Sequence, residues 1–180
     1  VRYTELKENA TYWEFGYTGF HVGEQDVWYV RADNGSFSAI ADTGTTLLLM
    51  GTDVVGLYYD AVPGARQNWT IGGIWTYPCD LTAAEGDGSE GGEGGQEKEN
   101  GKKTLPDFEI GFNNGFVATV PGRFMNYTVM PDDSAMCMGG LQEWGYEFDI
   151  FGDIFLKAVY AVFDVGGGRI GFAEKELDLD

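Results

Sequence analysis

A single histidine, His21, stands in a chain of 180 residues. Any Ser-His-Asp or Cys-His device would have to be built on it. Its neighbours Phe20 and Val22 place it in a strand instead. One histidine and two cysteines also make a poor zinc set. The glycine-rich stretch "GGGRIG" lacks the Lys-Ser/Thr ending of a phosphate loop. No metal and no cofactor is therefore expected. Basic residues are scarce: 11 Lys and Arg stand against 29 Asp and Glu, for a net charge of −18. A surface of that sign repels phosphate, which argues against nucleic acid as a partner. A continuous apolar run of membrane-spanning length is missing as well.

What is present is a core. Hydrophobic residues make up 43% of the chain and aromatic residues 15%. That length and content suit one domain with a buried interior. The opening Val1-Arg2-Tyr3-Thr4 resembles the middle of a protein, so a secretion signal is expected upstream or removed. Cys79 and Cys137 would, if paired in an oxidising compartment, close a loop worth roughly 4 kcal/mol on the chain-entropy account. Two buried free thiols are the alternative. Four glycosylation sequons favour secretion: Asn9-Ala10-Thr11, Asn34-Gly35-Ser36, Asn68-Trp69-Thr70 and Asn126-Tyr127-Thr128. The acidic surface suits an acidic environment, where its self-repulsion falls as carboxylates protonate.

Most of the chain has the two-residue period of strands. Trp13, Phe15 and Tyr17 alternate with smaller or polar residues. "FEIGFNNGFVATV" is expected to be a hairpin with a tight turn at Asn114-Gly115. "VYAVFDVGGGRIGFAE" is expected to be another, with Gly166, Gly167 and Gly168 at its tip. One helix is expected from Thr52, taken as N-cap, with Asp53 at the positive end of its dipole. Val54, Val55, Tyr58 and Val62 share a face, and Pro63-Gly64 ends it. "DIFLKAVY" carries one further helical turn. Residues 84–103 are Gly- and Glu-rich with no apolar residue after Ala84, so they are expected to form a flexible acidic insertion.

One carboxylate is out of pattern. "AIADTGTTLLLM" sets Asp42 between an apolar strand and three leucines. Burial on both sides requires that this carboxylate be hydrogen-bonded. Gly44 lets the backbone turn so that its N–H faces the carboxylate. The Thr45 hydroxyl can donate to the same group, and Thr43 can fix the loop to a neighbour. A plain Asx turn after a strand is the competing reading.

This stretch resembles the second active-site motif of pepsin-like aspartic proteases, the secreted fungal ones above all. "YYDAVPGA" is similar to the family's helix end after that motif. "LPDFEIGF" and "ATVPG" are similar to its following hairpin. "MCMGGLQ" holds the second cysteine of the family's C-terminal disulfide. "IFGDIFLKAVYAVFDVGGGRIGFAE" resembles its closing segment, including the apolar-apolar-Gly motif that threads behind the catalytic loop. Order and spacing hold from about Tyr3 to Glu174.

The resemblance implies an all-β fold: one lobe of a bilobal acid protease, with one or two short helices, spanning residues 1–180. It covers only the C-terminal lobe. An N-terminal lobe or chain, bringing the second catalytic Asp, is the implied partner, and a peptide or protein is the implied substrate. The lobe's contribution to an interlobe sheet would be completed by that partner. Asp42 is then one catalytic carboxylate. Thr43, Gly44 and Thr45 support it, and Ile40, Thr46 and Ile150 line the substrate cleft. Asp153 in "IFGD" matches a structural position. The class is a secreted, vacuolar or cell-surface glycoprotein made as a zymogen and working in acid. The rival readings are a non-catalytic binding or inhibitor protein on the same fold, and a homodimer using two copies of Asp42.

Overall fold

A computed structural model of the chain describes residues 1–30, 37–82 and 104–176. The insertion expected over 84–103 and the sequon at Asn34 lie outside the described residues. In chain order the elements are β1 (Arg2–Glu5), β2 (Glu14–Tyr17), β3 (Gly19–Val22), β4 (Tyr29–Val30), β5 (Phe37–Ala41), β6 (Leu48–Met50), α1 (Thr52–Asp60), β7 (Arg66–Asn68), β8 (Ile74–Pro78), β9 (Phe108–Gly111), β10 (Val117–Val120), β11 (Asn126–Met130), β12 (Asp133–Gly139), β13 (Leu141–Glu143), β14 (Asp149–Phe151), α2 (Asp153–Leu156), β15 (Val159–Asp164) and β16 (Arg169–Glu174). The protein is therefore mostly β, as one lobe of the pepsin-like fold should be. Among the described residues, no helix is long and apolar enough to cross a membrane.

The strands form four sheets, ordered β1-β16-β15, β10-β9-β3-β4, β11-β12-β8-β7 and β13-β6-β14-β5-β2. Alternation decides which side chains turn inward. On β10, Ala118 and Val120 are buried while Val117 and Thr119 face out. All four sheets feed one core. At its centre Phe15, Phe112, Phe151, Phe155 and Phe172 pack ring to ring, with Phe151 and Phe155 centroids 4.7 Å apart and Phe15 and Phe172 5.4 Å apart. Such aromatic pairs add about 0.5–1.5 kcal/mol each beyond the area they bury. Cys79 and Cys137 are disulfide-bonded, so the free-thiol alternative falls.

Local expectations mostly match. The hairpins β9–β10 and β15–β16 pair antiparallel as expected. The turn between β9 and β10 is wider than two residues. Phe112 donates its N–H to the Phe116 carbonyl, Asn114 Oδ1 accepts from the Phe116 N–H, and in this turn Gly115 alone takes a positive φ of 74°. The first helix corrects the expected cap: Gly51, not Thr52, is the N-cap, and no side chain caps it locally. Strand β6 runs to Met50, so the bend out of the sheet falls on Gly51. Val54, Val55, Tyr58 and Val62 are buried as the spacing requires, and Tyr59 joins them.

The five-stranded sheet has the feature that builds the site. Strands β5 and β6 are consecutive in sequence but not adjacent in space. β14 lies between them, parallel to β5 and antiparallel to β6. The segment from Asp42 to Leu47 must therefore arch over the end of β14 to reach β6.

Candidate functional site

That arch carries the Asp42 carboxylate. Gly44 donates its N–H to Oδ1 at 2.8 Å, and the Thr45 hydroxyl donates to Oδ2 at 2.6 Å. Each oxygen therefore has one donor, which fixes the plane of the group. The backbone is held from below. Asp42 donates its N–H to the Phe151 carbonyl at 3.2 Å, while Asp153 and Ile154 donate theirs to the Thr45 and Thr46 carbonyls at 2.8 and 3.0 Å. Leu48 then donates to the Gly140 carbonyl at 2.9 Å as the arch re-enters the sheet. The carboxylate itself is half-buried, and Thr43, Gly44 and Thr46 are exposed beside it. An anchored anion with an open side is a group that can meet a ligand.

Ile40 and Ile150 are direct partners across β5 and β14, and both are buried. The expected cleft residues thus come together with Asp42 at one end of one sheet. Asp153 goes elsewhere: it is exposed in the first turn of α2. His21 is committed to the fold. Its Nδ1 faces Glu109 Oε2 at 3.0 Å, its Nε2 meets the Gln25 carbonyl, and its ring stacks on Trp28. Among the described residues no group of His, Cys, Asp and Glu is arranged to hold a metal ion. A hollow of about 630 Å³ near Glu24, Leu105, Asp107 and Glu109 contains none of the candidate residues.

The sequons differ in setting. Asn9 is exposed in a turn at a φ of 59°. Asn68 is half-buried and its Oδ1 accepts from the Thr70 N–H. Asn126 is exposed, with Oδ1 accepting from the buried Tyr77 hydroxyl at 2.9 Å.

One carboxylate near the site was not singled out by sequence. Asp149 opens β14 immediately before Ile150. Its Oδ2 accepts from the Tyr17 hydroxyl at 2.6 Å and its Oδ1 from the Gly51 N–H at 3.0 Å. Burial pushes its pKa up to about 6, against the opposing pull of those two donors. The signal was available: "FDIF" sets an acid among apolar residues much as the Asp42 stretch does.

Comparison with known proteins agrees with this geometry. Residues 1–175 match the eukaryotic aspartyl protease family. The chain is 39% identical over 183 residues to aspartic protease pepA of Arthroderma gypseum. It is 37% identical over 174 residues to penicillopepsin-2 of Penicillium janthinellum, and 38% identical over 174 residues to aspergillopepsin-1 of Aspergillus fumigatus. Each alignment covers 96% of this chain but only 39%, 36% and 37% of those relatives, so the chain spans well under half their length. With the fold, the arch and the sequence in agreement, this chain belongs to the eukaryotic aspartyl protease family.

Proposed function

We propose that this chain is the C-terminal lobe of a pepsin-like endopeptidase and that Asp42 is one of its two catalytic aspartates. The observation that carries the reading is the Asp42 carboxylate, held at both oxygens by Gly44 and Thr45 and open to solvent on one side. A second aspartate comes from an N-terminal lobe or chain that packs against this one. Two like charges in contact cannot both ionise cheaply, so the pair shares one proton. The ionised member takes a proton from water, and the water oxygen bonds to the scissile carbonyl carbon. The protonated member gives its hydrogen to the carbonyl oxygen. The resulting diol collapses as the C–N bond breaks and the amine takes up a proton. These steps use two carboxylates and one water.

In this reading Thr43 links the two facing loops. Ile40 and Ile150 line the pocket just after the cut, and Thr46 holds extended substrate before it. Main-chain hydrogen bonds would supply affinity and apolar pockets the preference. The enzyme works best in acid and is secreted or held in an acidic compartment, with a glycan on one or more of Asn9, Asn34, Asn68 and Asn126. The test is cleavage of a denatured protein at about pH 3–5 by the intact two-lobed protein, with and without a transition-state peptide inhibitor. Inhibitor-sensitive cleavage is expected. A correctly folded protein with none would leave the non-catalytic binding role.

A further inference from the structure

The turn between β9 and β10 carries an Asn-Gly pair, Asn114-Gly115. Such a pair is prone to lose its side-chain amide, because glycine leaves the following main-chain nitrogen uncovered. In this fold that nitrogen is engaged: Gly115 donates its N–H to the Phe112 carbonyl at 3.0 Å. The Asn114 side chain is held at both ends. Its Oδ1 accepts from the Phe116 N–H at 2.9 Å, and its Nδ2 donates to the Tyr3 carbonyl at 3.0 Å. The Asn114 main-chain oxygen accepts from Arg2 Nη1 at 3.0 Å, and a Cβ placed on Gly115 would lie 3.1 Å from that same nitrogen. Arg2 therefore covers the side of the turn that glycine leaves bare. Tyr3 and Arg2 both belong to β1, 111 and 112 positions away from Asn114.

We propose that Asn114 is a deamidation site that β1 holds closed, so that release of β1 is followed by a permanent chemical mark at the turn. In the reaction the Gly115 nitrogen gives up its proton and bonds to Asn114 Cγ. The Cγ–Nδ2 bond breaks, and Nδ2 leaves as ammonia, taking up a proton in exchange. Water then opens the cyclic imide at either carbonyl, giving aspartate or isoaspartate. While β1 is docked, the Tyr3 carbonyl and the Phe116 N–H fix the amide plane, and the Phe112 carbonyl retains the Gly115 proton. The products do not restore the lock. An aspartate turns an acceptor toward the Tyr3 carbonyl where an N–H donor stood. Isoaspartate inserts a methylene into the main chain of the turn.

β1 is the piece that opens. It has four residues, lies at the edge of its sheet and pairs with β16 alone. Arg2 and Glu5 are exposed, and Tyr3 and Thr4 are half-buried. The hairpin it guards is anchored far better: Phe108, Ile110, Ala118 and Val120 are all buried in the core. A short edge element with few buried contacts opens at a lower free energy than the whole molecule. Beyond its ladder with β16, β1 is held by the Arg169 guanidinium 4.2 Å over the Tyr3 ring and by the two bonds to Asn114. None of this depends on the chemistry of Asp42.

The experiment incubates the intact protein in mildly alkaline buffer and follows aspartate and isoaspartate at Asn114 by peptide mapping. It compares native wild type, wild type unfolded in denaturant, and the double variant Arg2→Ala/Tyr3→Ala. Native wild type should convert at least about tenfold more slowly than the unfolded chain. The double variant should convert about threefold or more faster than native wild type. Equal rates in native and unfolded wild type overturn the proposal, and so does a folded double variant no faster than wild type. If that variant does not fold, the wild type decides alone. As denaturant rises below the unfolding transition, the deamidation rate should follow hydrogen exchange of the β1 amides. A rate that follows exchange of a core amide such as Ile110 overturns the proposal, since the turn would then open only with the whole molecule. Asn114→Asp, which makes one product directly, should quicken β1 amide exchange about threefold or more at neutral pH. Unchanged exchange in that variant would mean that β1 docks again after the reaction, and overturns the lock.

Discussion

A Cβ placed on Gly152 would lie 2.3 Å from the Thr45 carbonyl oxygen and 2.4 Å from that of Leu47. The floor of the Asp42 arch therefore rests on a residue with no side chain. Both obstacles are backbone, so neither can swing away. Gly152→Ala should destabilise the protein by about 3 kcal/mol or more and remove peptidase activity. Denaturant unfolding beside an activity assay checks it. A variant within about 0.5 kcal/mol of wild type would show that the arch can rise without cost.

Asp42→Asn should leave the fold standing and abolish turnover. The amide keeps the shape but can neither take the proton from water nor share one with a facing acid. A fall in kcat of about a thousandfold or more is expected, with unfolding shifted by no more than about 1 kcal/mol. Thr45→Val removes one donor to a charged oxygen, worth about 1.5–3 kcal/mol. Its kcat should drop roughly ten- to a hundredfold with KM little changed. Equal kcat in wild type and Thr45→Val would mean that Gly44 alone orients the carboxylate.

The Cys79–Cys137 bond spans 58 positions and joins the start of a 3₁₀ turn to the middle of β12. Replacing both cysteines with serine should lower stability by roughly 4 kcal/mol, or about 10 °C in Tm for a domain of this size. Scanning calorimetry of the oxidised, reduced and doubly substituted proteins measures it.

The tip of the β15–β16 hairpin should respond to pH. The Arg169 guanidinium at 2.8 Å, with the Gly167 N–H, holds the Asp164 carboxyl below its usual range. A lowered folded pKa gives stability that is present above the ordinary carboxyl value and lost as pH falls through the depressed one. Amide exchange at Gly167, corrected for its intrinsic pH dependence, should quicken as pH falls below the ordinary carboxyl range. In Asp164→Asn it should be fast throughout. A tip equally protected in both proteins at neutral pH would rule out this bracket.

Much of the fold was legible because local chemistry specified it. Period-two alternation found β2, β9, β10, β15 and β16, and the 3.6-residue face found α1. The glycines marked the hairpin tips, and four residues, Asp42 to Thr45, contained their own hydrogen bonds. The cap of α1 was misplaced for a physical reason. Thr52 is a good capping residue by type, but Gly51 holds the cap position and the Thr52 hydroxyl donates instead to Glu143 Oε2, 91 positions away. No local pattern encodes such a partner.

Sequence alone determined the sign of the surface charge, the strand-rich character of the chain and the internal hydrogen bonding of the Asp42 turn, because each depends on residues near one another or on composition. Only tertiary structure decided that β14 slides between β5 and β6. That insertion gives Gly152 its purpose, brings Ile40 and Ile150 together, and sets the half-buried Asp149 carboxylate between the Tyr17 hydroxyl and the Gly51 N–H. Those relationships join residues far apart in sequence, and it is the packing of the sheet that brings them within hydrogen-bond reach.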